Sequence, residues 1–369
     1  MNIHWMKVVH IINRLMGGGA EVMVPQIHRE HLRNGVDSWI VSMETGDDRG
    51  TEKVVSFGRR LPRWREPFRL RSVLQKIEED GTIDVVHAHL TQSQMFAKHA
   101  IRGLKRRPLL VTTEHDTSNR RRNLIFGRLF DRFLYRGYDG IICISEGVEE
   151  AMARWVPQHA DRLVTITNGV DLEPLTCIER EPDPSGEARF LSVGRLVPKK
   201  NIKTAIRALS KITERPWRYT VVGEGEERAE LEALASECGV ADKIRFVGYE
   251  ADVGPYYRQN EIFLFPSLWE GFGLVAVEAM AAGLVVVASD VPGLAEVVGR
   301  DKVAGLLLPP NEPDRWAEEI AKLLNDQNRL DEFARGGRDR AAIFSVRNTA
   351  RNYLSLYDKL ISTDRADAR

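Results

Sequence analysis

Ile262-Phe-Leu-Phe-Pro266, followed closely by Glu270-Gly-Phe-Gly-Leu-Val-Ala-Val-Glu278, is the stretch on which the reading of the fold turns. The first run is short, apolar and aromatic, as a strand buried on both faces would be. Gly271 and Gly273 permit a tight turn. Leu274 to Ala282 then continues apolar at helical spacing, which predicts a helix beginning near Phe272. Strand, glycine turn and helix together make one βα step of a parallel sheet. The first amides of such a helix lack partners within it and, with the helix dipole, suit a negatively charged group. Glu270 stands just before that end and Glu278 about two turns behind it. A carboxylate cannot comfortably hold phosphate, but it accepts hydrogen bonds from sugar or ribose hydroxyls beside one.

Working outward, the same alternation of β-branched runs and amphipathic stretches fills the chain. Strands are expected at 8–12, 39–42, 84–87, 109–113, 140–144 and 163–166, and again at 190–193, 219–222, 244–247, 262–265, 285–288 and 305–308. The fold class is therefore α/β: two doubly wound, Rossmann-like domains, 1–170 and 188–345, expected to face one another across a ligand cleft. Between them 171–187, with Pro174, Pro182, Pro184 and Gly186, has the composition of an exposed linker. A last helix within 346–369 is expected to cross back to the first domain. At 369 residues the chain is long enough for two cores.

The formal net charge is zero, which removes the field that would favour nucleic acid, and none is expected as a partner. The charge is nonetheless unevenly spread. Lys98, Arg102, Lys105, Arg106, Arg107, Arg120, Arg121, Arg122, Arg128, Arg132 and Arg136 face only Glu114, Asp116 and Asp131. Arg59, Arg60, Arg63, Arg65, Arg69 and Arg71 interleave with Leu61, Trp64 and Phe68. Such clusters suit an anionic membrane surface, with Trp64 and Phe68 at the interface. Cys143, Cys177 and Cys238 are far apart, without zinc-site spacing, and are expected to be buried thiols. With no signal-peptide pattern and no apolar run of roughly 20 residues, the expected location is cytoplasmic, peripheral at the inner membrane face.

Further residues fall at expected strand ends. Gly17-Gly-Gly-Ala-Glu21 opens a helix after the first strand, so Gly17 and Gly18 could approach a phosphate. In Phe190-Leu-Ser-Val-Gly-Arg-Leu-Val-Pro-Lys-Lys-Asn201, Arg195 and Lys200 are cations placed to neutralise a diphosphate, with Lys199 competing for the lysine role. Gly223 and Tyr249 follow the next two strands, where a base or ribose could lie against the backbone. In the first half His87, His89 and His115 gather at strand ends. A metal held by His87 and His89 with His115 or Asp116 is the competing reading of that group. It gains no support from further clustered carboxylates, and no Asp-x-Asp pair occurs in the chain. The expectation is a metal-independent protein with no cofactor.

Taken together, GGGAE (17–21), DVVHAHL (84–90), TTEHD (112–116), ICISE (142–146), TNGVD (167–171), SVGRLVPKKN (192–201), VVGEGEE (221–227), FVGY (246–249), FPSLWEGFGLVAVEAMAAG (265–283) and VASDVPGLAEVV (287–298) resemble, in order and over most of the chain, the retaining glycosyltransferases of the GT-B fold, family-four (group 1) type. The resemblance implies that Arg195 and Lys200 bind the donor diphosphate and that Glu278 holds the ribose. It gives Glu270 the donor-sugar hydroxyls, assigns sugar and phosphate support to Gly271, Phe272, Gly273 and Leu274, and closes Gly17 and Gly18 over the phosphate. It makes His115 the histidine beside the reacting sugar. The loop Glu114-His115-Asp116-Thr117-Ser118-Asn119 is more polar than in many relatives. The implied reaction is transfer of a hexose or N-acetylhexosamine from a nucleotide sugar, UDP-linked by preference, to a glycan acceptor, lipid-linked, in envelope polysaccharide or glycoconjugate synthesis.

Four alternatives stand beside it. A GDP-mannose-dependent mannosyltransferase differs only in donor. A UDP-sugar epimerase on the same architecture would need Glu114 or Asp116 as a base and would transfer nothing. An NAD-dependent oxidoreductase lacks its Gly-x-Gly-x-x-Gly turn and ribose acid here. A non-catalytic nucleotide-sugar-binding module would bind donor and release no nucleotide.

Overall fold

The computed structural model describes residues 6–15, 18–44, 52–57, 62, 64–117, 124–177, 186–213 and 215–367. The chain forms two compact units, one running to Gly169 and resumed from Val346, the other spanning Val170–Ser345.

The first unit holds β1 (Lys7–Ile12), β2 (Asp37–Ser42), β3 (Val54–Ser56), β4 (Val85–His89), β5 (Leu109–Glu114), β6 (Gly140–Cys143) and β7 (Leu163–Thr165). They form one parallel sheet in the order β3-β2-β1-β4-β5-β6-β7. Every residue of β1, β4, β5 and β6 is buried. That is the pattern of strands covered by helices on both faces, and it explains why their sequences show no alternation. The edge strand β3 is short and only half-buried; no apolar run announced it, and the sequence reading omits it. The helix Val346–Asp367 packs on the helix Gly19–Arg33 and sinks Tyr353 and Tyr357 into the core beside Val8, Ile27 and Val111.

The second unit holds β8 (Ala188–Val193), β9 (Trp217–Val222), β10 (Ile244–Gly248), β11 (Ile262–Phe265), β12 (Val285–Ser289) and β13 (Gly305–Leu308). They are parallel in the order β10-β9-β8-β11-β12-β13. The order reverses between β8 and β11, the topological switch point beside which open α/β sheets bind ligands at the strands' carboxyl ends. The stretch that opened the sequence reading lies on one side of that point and Arg195 on the other.

Three expectations need correction. The helix expected from Phe272 starts at Leu274, because Gly273 takes φ +109 and serves as its cap. Within 171–187, read as exposed linker, a short helix Glu173–Thr176 buries Leu175 in the second unit; residues 178–185 lie outside those described. Cys143 is a buried thiol and Cys238 is half-buried, but Cys177 is exposed, one residue past that short helix.

Candidate functional site

At the β8/β11 switch point Lys200 Nζ lies 2.6 Å from Glu270 Oε1, and Lys199 Nζ is 3.8 Å from Glu270 Oε2. Ser267 Oγ donates to the same Oε1 at 3.0 Å. Lys200 also sits 4.5 Å from the centre of the Phe265 ring. The backbone fixes the pairing, since Leu268 N–H donates to Lys199 O at 2.8 Å and ties the lysine loop to the loop after β11. Burial pushes the Glu270 carboxyl pKa up, but the charges of Lys200 and Lys199, with the bonds from Lys200 and Ser267, outweigh it and hold the group below its ordinary value. The Lys200 ammonium is lowered as well, but there burial is the cause. Burial lowers it, aided by the neighbouring charges of Lys199 and Arg195, and Glu270 only partly restores it.

Arg195 is exposed and makes no side-chain hydrogen bond or ion pair among the described residues. Beside it a small pocket, open to solvent, is lined by Ser192, Gly194, Arg195, Leu196, Lys200 and Phe265. The helix Leu274–Ala281 begins without a side-chain cap, and its first backbone bond runs from Ala276 N–H to Gly273 O. The amides of Leu274 and Val275 are left for an outside acceptor. Gly271 and Phe272 are buried, Phe272 edge-on to Phe344 with ring centres 5.3 Å apart, so only the backbone of Phe272 can serve a ligand.

Glu278 accepts a 2.7 Å hydrogen bond on Oε2 from the buried hydroxyl of Tyr257. Burial raises its carboxyl, and the tyrosine bond partly opposes this. Nothing in sequence spacing singled out Tyr257, which reads as a core aromatic. Gly223, at the end of β9, has φ +137, and a Cβ there would stand 1.9 Å from Gly194 O. It is thus a packing requirement between the ends of β8 and β9 before it is a ligand contact. Tyr249 is 66% exposed and open to stacking.

In the first unit, Gly18 caps the helix Gly19–Arg33, while Gly17 lies outside the described residues. His115 follows β5, half-buried, with its Nε2 enclosed and without a hydrogen-bond partner. Burial lowers its pKa to about 4, so the ring is neutral at physiological pH. His87 and His89 do stack on one face of β4, ring centres 4.1 Å apart, but the histidines joining them are His10 and His31. His10 Nδ1 is 3.1 Å from His89 Nε2, and His10 Nε2 is 3.2 Å from His31 Nδ1. The register of the paired strands β1 and β4 sets His10 opposite His87.

His10, His87 and His89 place nitrogens within 4.8 Å of one another. That corrects the metal reading, since neither His115 nor Asp116 belongs to the group. Both nitrogens of His87 are engaged, by the Tyr357 hydroxyl at 2.6 Å and Thr113 Oγ1 at 2.7 Å. Burial and their mutual charges keep these rings neutral, and no carboxylate among the described residues shares the group. His89 Nδ1 and His31 Nε2, by contrast, are buried without a hydrogen-bond partner among the described residues.

Residues 177–340 match the family described as Glycosyl transferases group 1, and residues 17–174 match Glycosyltransferase Family 4. The putative glycosyltransferase EpsF of Bacillus subtilis is 28% identical over 349 residues, 87% of this chain and 88% of that protein. A D-inositol 3-phosphate glycosyltransferase of Salinispora tropica is 36% identical over 186 residues, 47% of this chain and 38% of that protein. Among solved structures, Anabaena HepE in complex with UDP superposes with a TM-score of 0.81 at 20% identity, covering 96% of this chain and 100% of that one.

Proposed function

Because the chain belongs to the group 1 glycosyltransferases of GT-B architecture, we propose that it transfers a hexose or N-acetylhexosamine from a UDP-sugar to a lipid-linked glycan acceptor, and that the donor binds at the β8/β11 switch point. The observation that carries this reading is the Lys200–Glu270 pair, 2.6 Å apart and screened from water, next to an unpaired Arg195 and the open amides of Leu274 and Val275. Breaking a sugar–phosphate bond places negative charge on the departing diphosphate. Cations and amides already aimed at it stabilise that charge without reorganising. Lys200 and Arg195 take the diphosphate. Glu270, held ionised by its lysines, accepts hydrogen bonds from hydroxyls of the transferred sugar. Glu278 keeps Oε2 on Tyr257 and offers its other oxygen to the ribose. A neutral His115 orients a hydroxyl on the acceptor side.

Retention of anomeric configuration, by front-face attack in which the departing phosphate oxygen takes the acceptor's proton, is part of this proposal. So is independence from a metal, because side-chain cations and amides meet the diphosphate charge. UDP as the nucleotide is supported by the UDP bound in the HepE structure. The inositol-phosphate relative aligns with under half of this chain and does not bring its acceptor with it. A thermal-shift panel of UDP-, GDP- and ADP-sugars tests the reading, since a ligand bound only by the folded form raises the melting temperature by mass action. A UDP-sugar is expected to give the largest rise. A larger rise with GDP-mannose would move the donor, and no rise with any of them would overturn the site.

A further inference from the structure

The helix Gly127–Tyr135 and the turn before it carry six large apolar side chains on the outside of the first unit. Leu124, Ile125, Phe126, Leu129, Phe130 and Phe133 are 64, 95, 75, 53, 42 and 60% exposed. Monomeric soluble proteins rarely show so contiguous an apolar surface without a use for it. The ridge's charge is one-sided. Arg128, Arg132 and Arg136 are exposed, and the helix's one acid, Asp131, is turned inward to accept from Trp155 Nε1 at 2.9 Å.

The basic surface continues past the helix. Lys98 Nζ binds the carbonyls of Phe133 and Leu134. Its pKa is lowered, first by burial and then by the charges of Arg102 and Arg136. Beyond it, Arg71 donates to His99 O at 3.2 Å and lies over Phe68. Phe68 and Trp64 are themselves 61 and 65% exposed. Cations thus fill the ground between two apolar outcrops.

We propose that this face seats the protein on an anionic phospholipid bilayer, the 124–133 ridge entering the acyl boundary while Arg132, Arg136 and Lys98 meet lipid phosphates. The charge pattern selects this occupant. A second copy docking about a two-fold axis would set the same arginines against each other, whereas an anionic lipid surface complements them. No helix of the described residues is long and apolar enough to cross a membrane, so the seating is interfacial. The sequence reading expected a membrane surface but placed its apolar contact at Trp64 and Phe68 alone. Its Arg120, Arg121 and Arg122 lie outside the described residues.

The test is co-sedimentation of the full chain, without any nucleotide sugar, with vesicles of phosphatidylethanolamine and phosphatidylglycerol, against phosphatidylcholine vesicles. Its outcome is therefore independent of the donor site. Binding to the anionic vesicles only is expected. Ile125→Ser with Phe126→Ser should lower the partition coefficient by at least about tenfold. Arg132→Gln with Arg136→Gln should lower it about fivefold per charge, with circular dichroism unchanged in both. Equal binding to phosphatidylcholine, undiminished binding by either double variant, or no binding at all would overturn the proposal. So would a wild-type dimer, seen by light scattering, that the serine variant dissolves while vesicle binding is unaffected.

Discussion

Replacing Glu270 with Gln should make the protein bind UDP more tightly while impairing transfer. The carboxylate shares Lys200 with the diphosphate that the lysine is proposed to hold. An ammonium 2.6 Å from the carboxylate and about 2.8 Å from a phosphate oxygen puts the two anions about 5 Å apart. At an effective dielectric of about 20 their repulsion is roughly 3 kcal/mol per pair of unit charges. Screening by Lys199, Arg195 and solvent brings this to about half, or roughly 1.5 kcal/mol, which is about tenfold in affinity. The neutral amide loses a charge-assisted acceptor for the sugar hydroxyls, worth about 1.5–3 kcal/mol, so turnover of a UDP-sugar should fall at least about tenfold. Isothermal titration of UDP into wild type, Glu270→Gln, Lys200→Met and the double variant reads the effect. The gain should persist when Lys200 is absent, because the repulsion acts directly between carboxylate and diphosphate. A folded Glu270→Gln protein that binds UDP no better than wild type, or a gain that disappears with Lys200, would refute the reasoning.

Acid should unfold the first unit before the second. Folded His10, His31, His87 and His89 have lowered pKa values, His31 at about 3, whereas unfolded histidine protonates near 6.5. The unfolded chain therefore binds more protons below that pH, and stability present above it is lost as pH falls, by about 1.4 kcal/mol per histidine per pH unit. Four rings make roughly 5.6 kcal/mol per unit, so hydrogen exchange should show the first unit opening between about pH 6 and 5; protection retained at about pH 4.5 would contradict this. Tyr257→Phe, which removes the partner of Glu278, should weaken UDP binding about fivefold and leave inorganic diphosphate binding unchanged by the same calorimetry. Gly223→Ala should cost about 2–3 kcal/mol in the second unit by thermal melting, because its Cβ would meet Gly194 O and its φ is positive. Transfer activity assayed with excess EDTA should equal that with magnesium.

The buried strands were the legible part of this fold. Ile262–Phe265 and Gly305–Leu308 appear with the boundaries the sequence suggested, because a strand covered on both faces must be apolar throughout. The start of the 274–281 helix moved by two residues, since glycine spacing says that a turn is present but not which glycine adopts the left-handed conformation. The switch-point residues were found one at a time. That Lys200 and Glu270 bind each other was not visible, because they are 70 residues apart and only the sheet order unites them. Tyr257 and His31 were passed over because a buried polar group is indistinguishable in sequence from a core residue until its partner is known. The exposed ridge at 124–133 was missed for the opposite reason: apolar spacing implies burial, and only the folded unit shows that nothing covers it.

The most direct measurement is a crystal structure with UDP bound. The diphosphate should lie within hydrogen-bond distance of Lys200 Nζ, Arg195 and the amides of Leu274 and Val275, with the ribose hydroxyls on Glu278. UDP bound at any other place, with Lys200 still closed on Glu270 and the switch point filled by water, would contradict the proposed site.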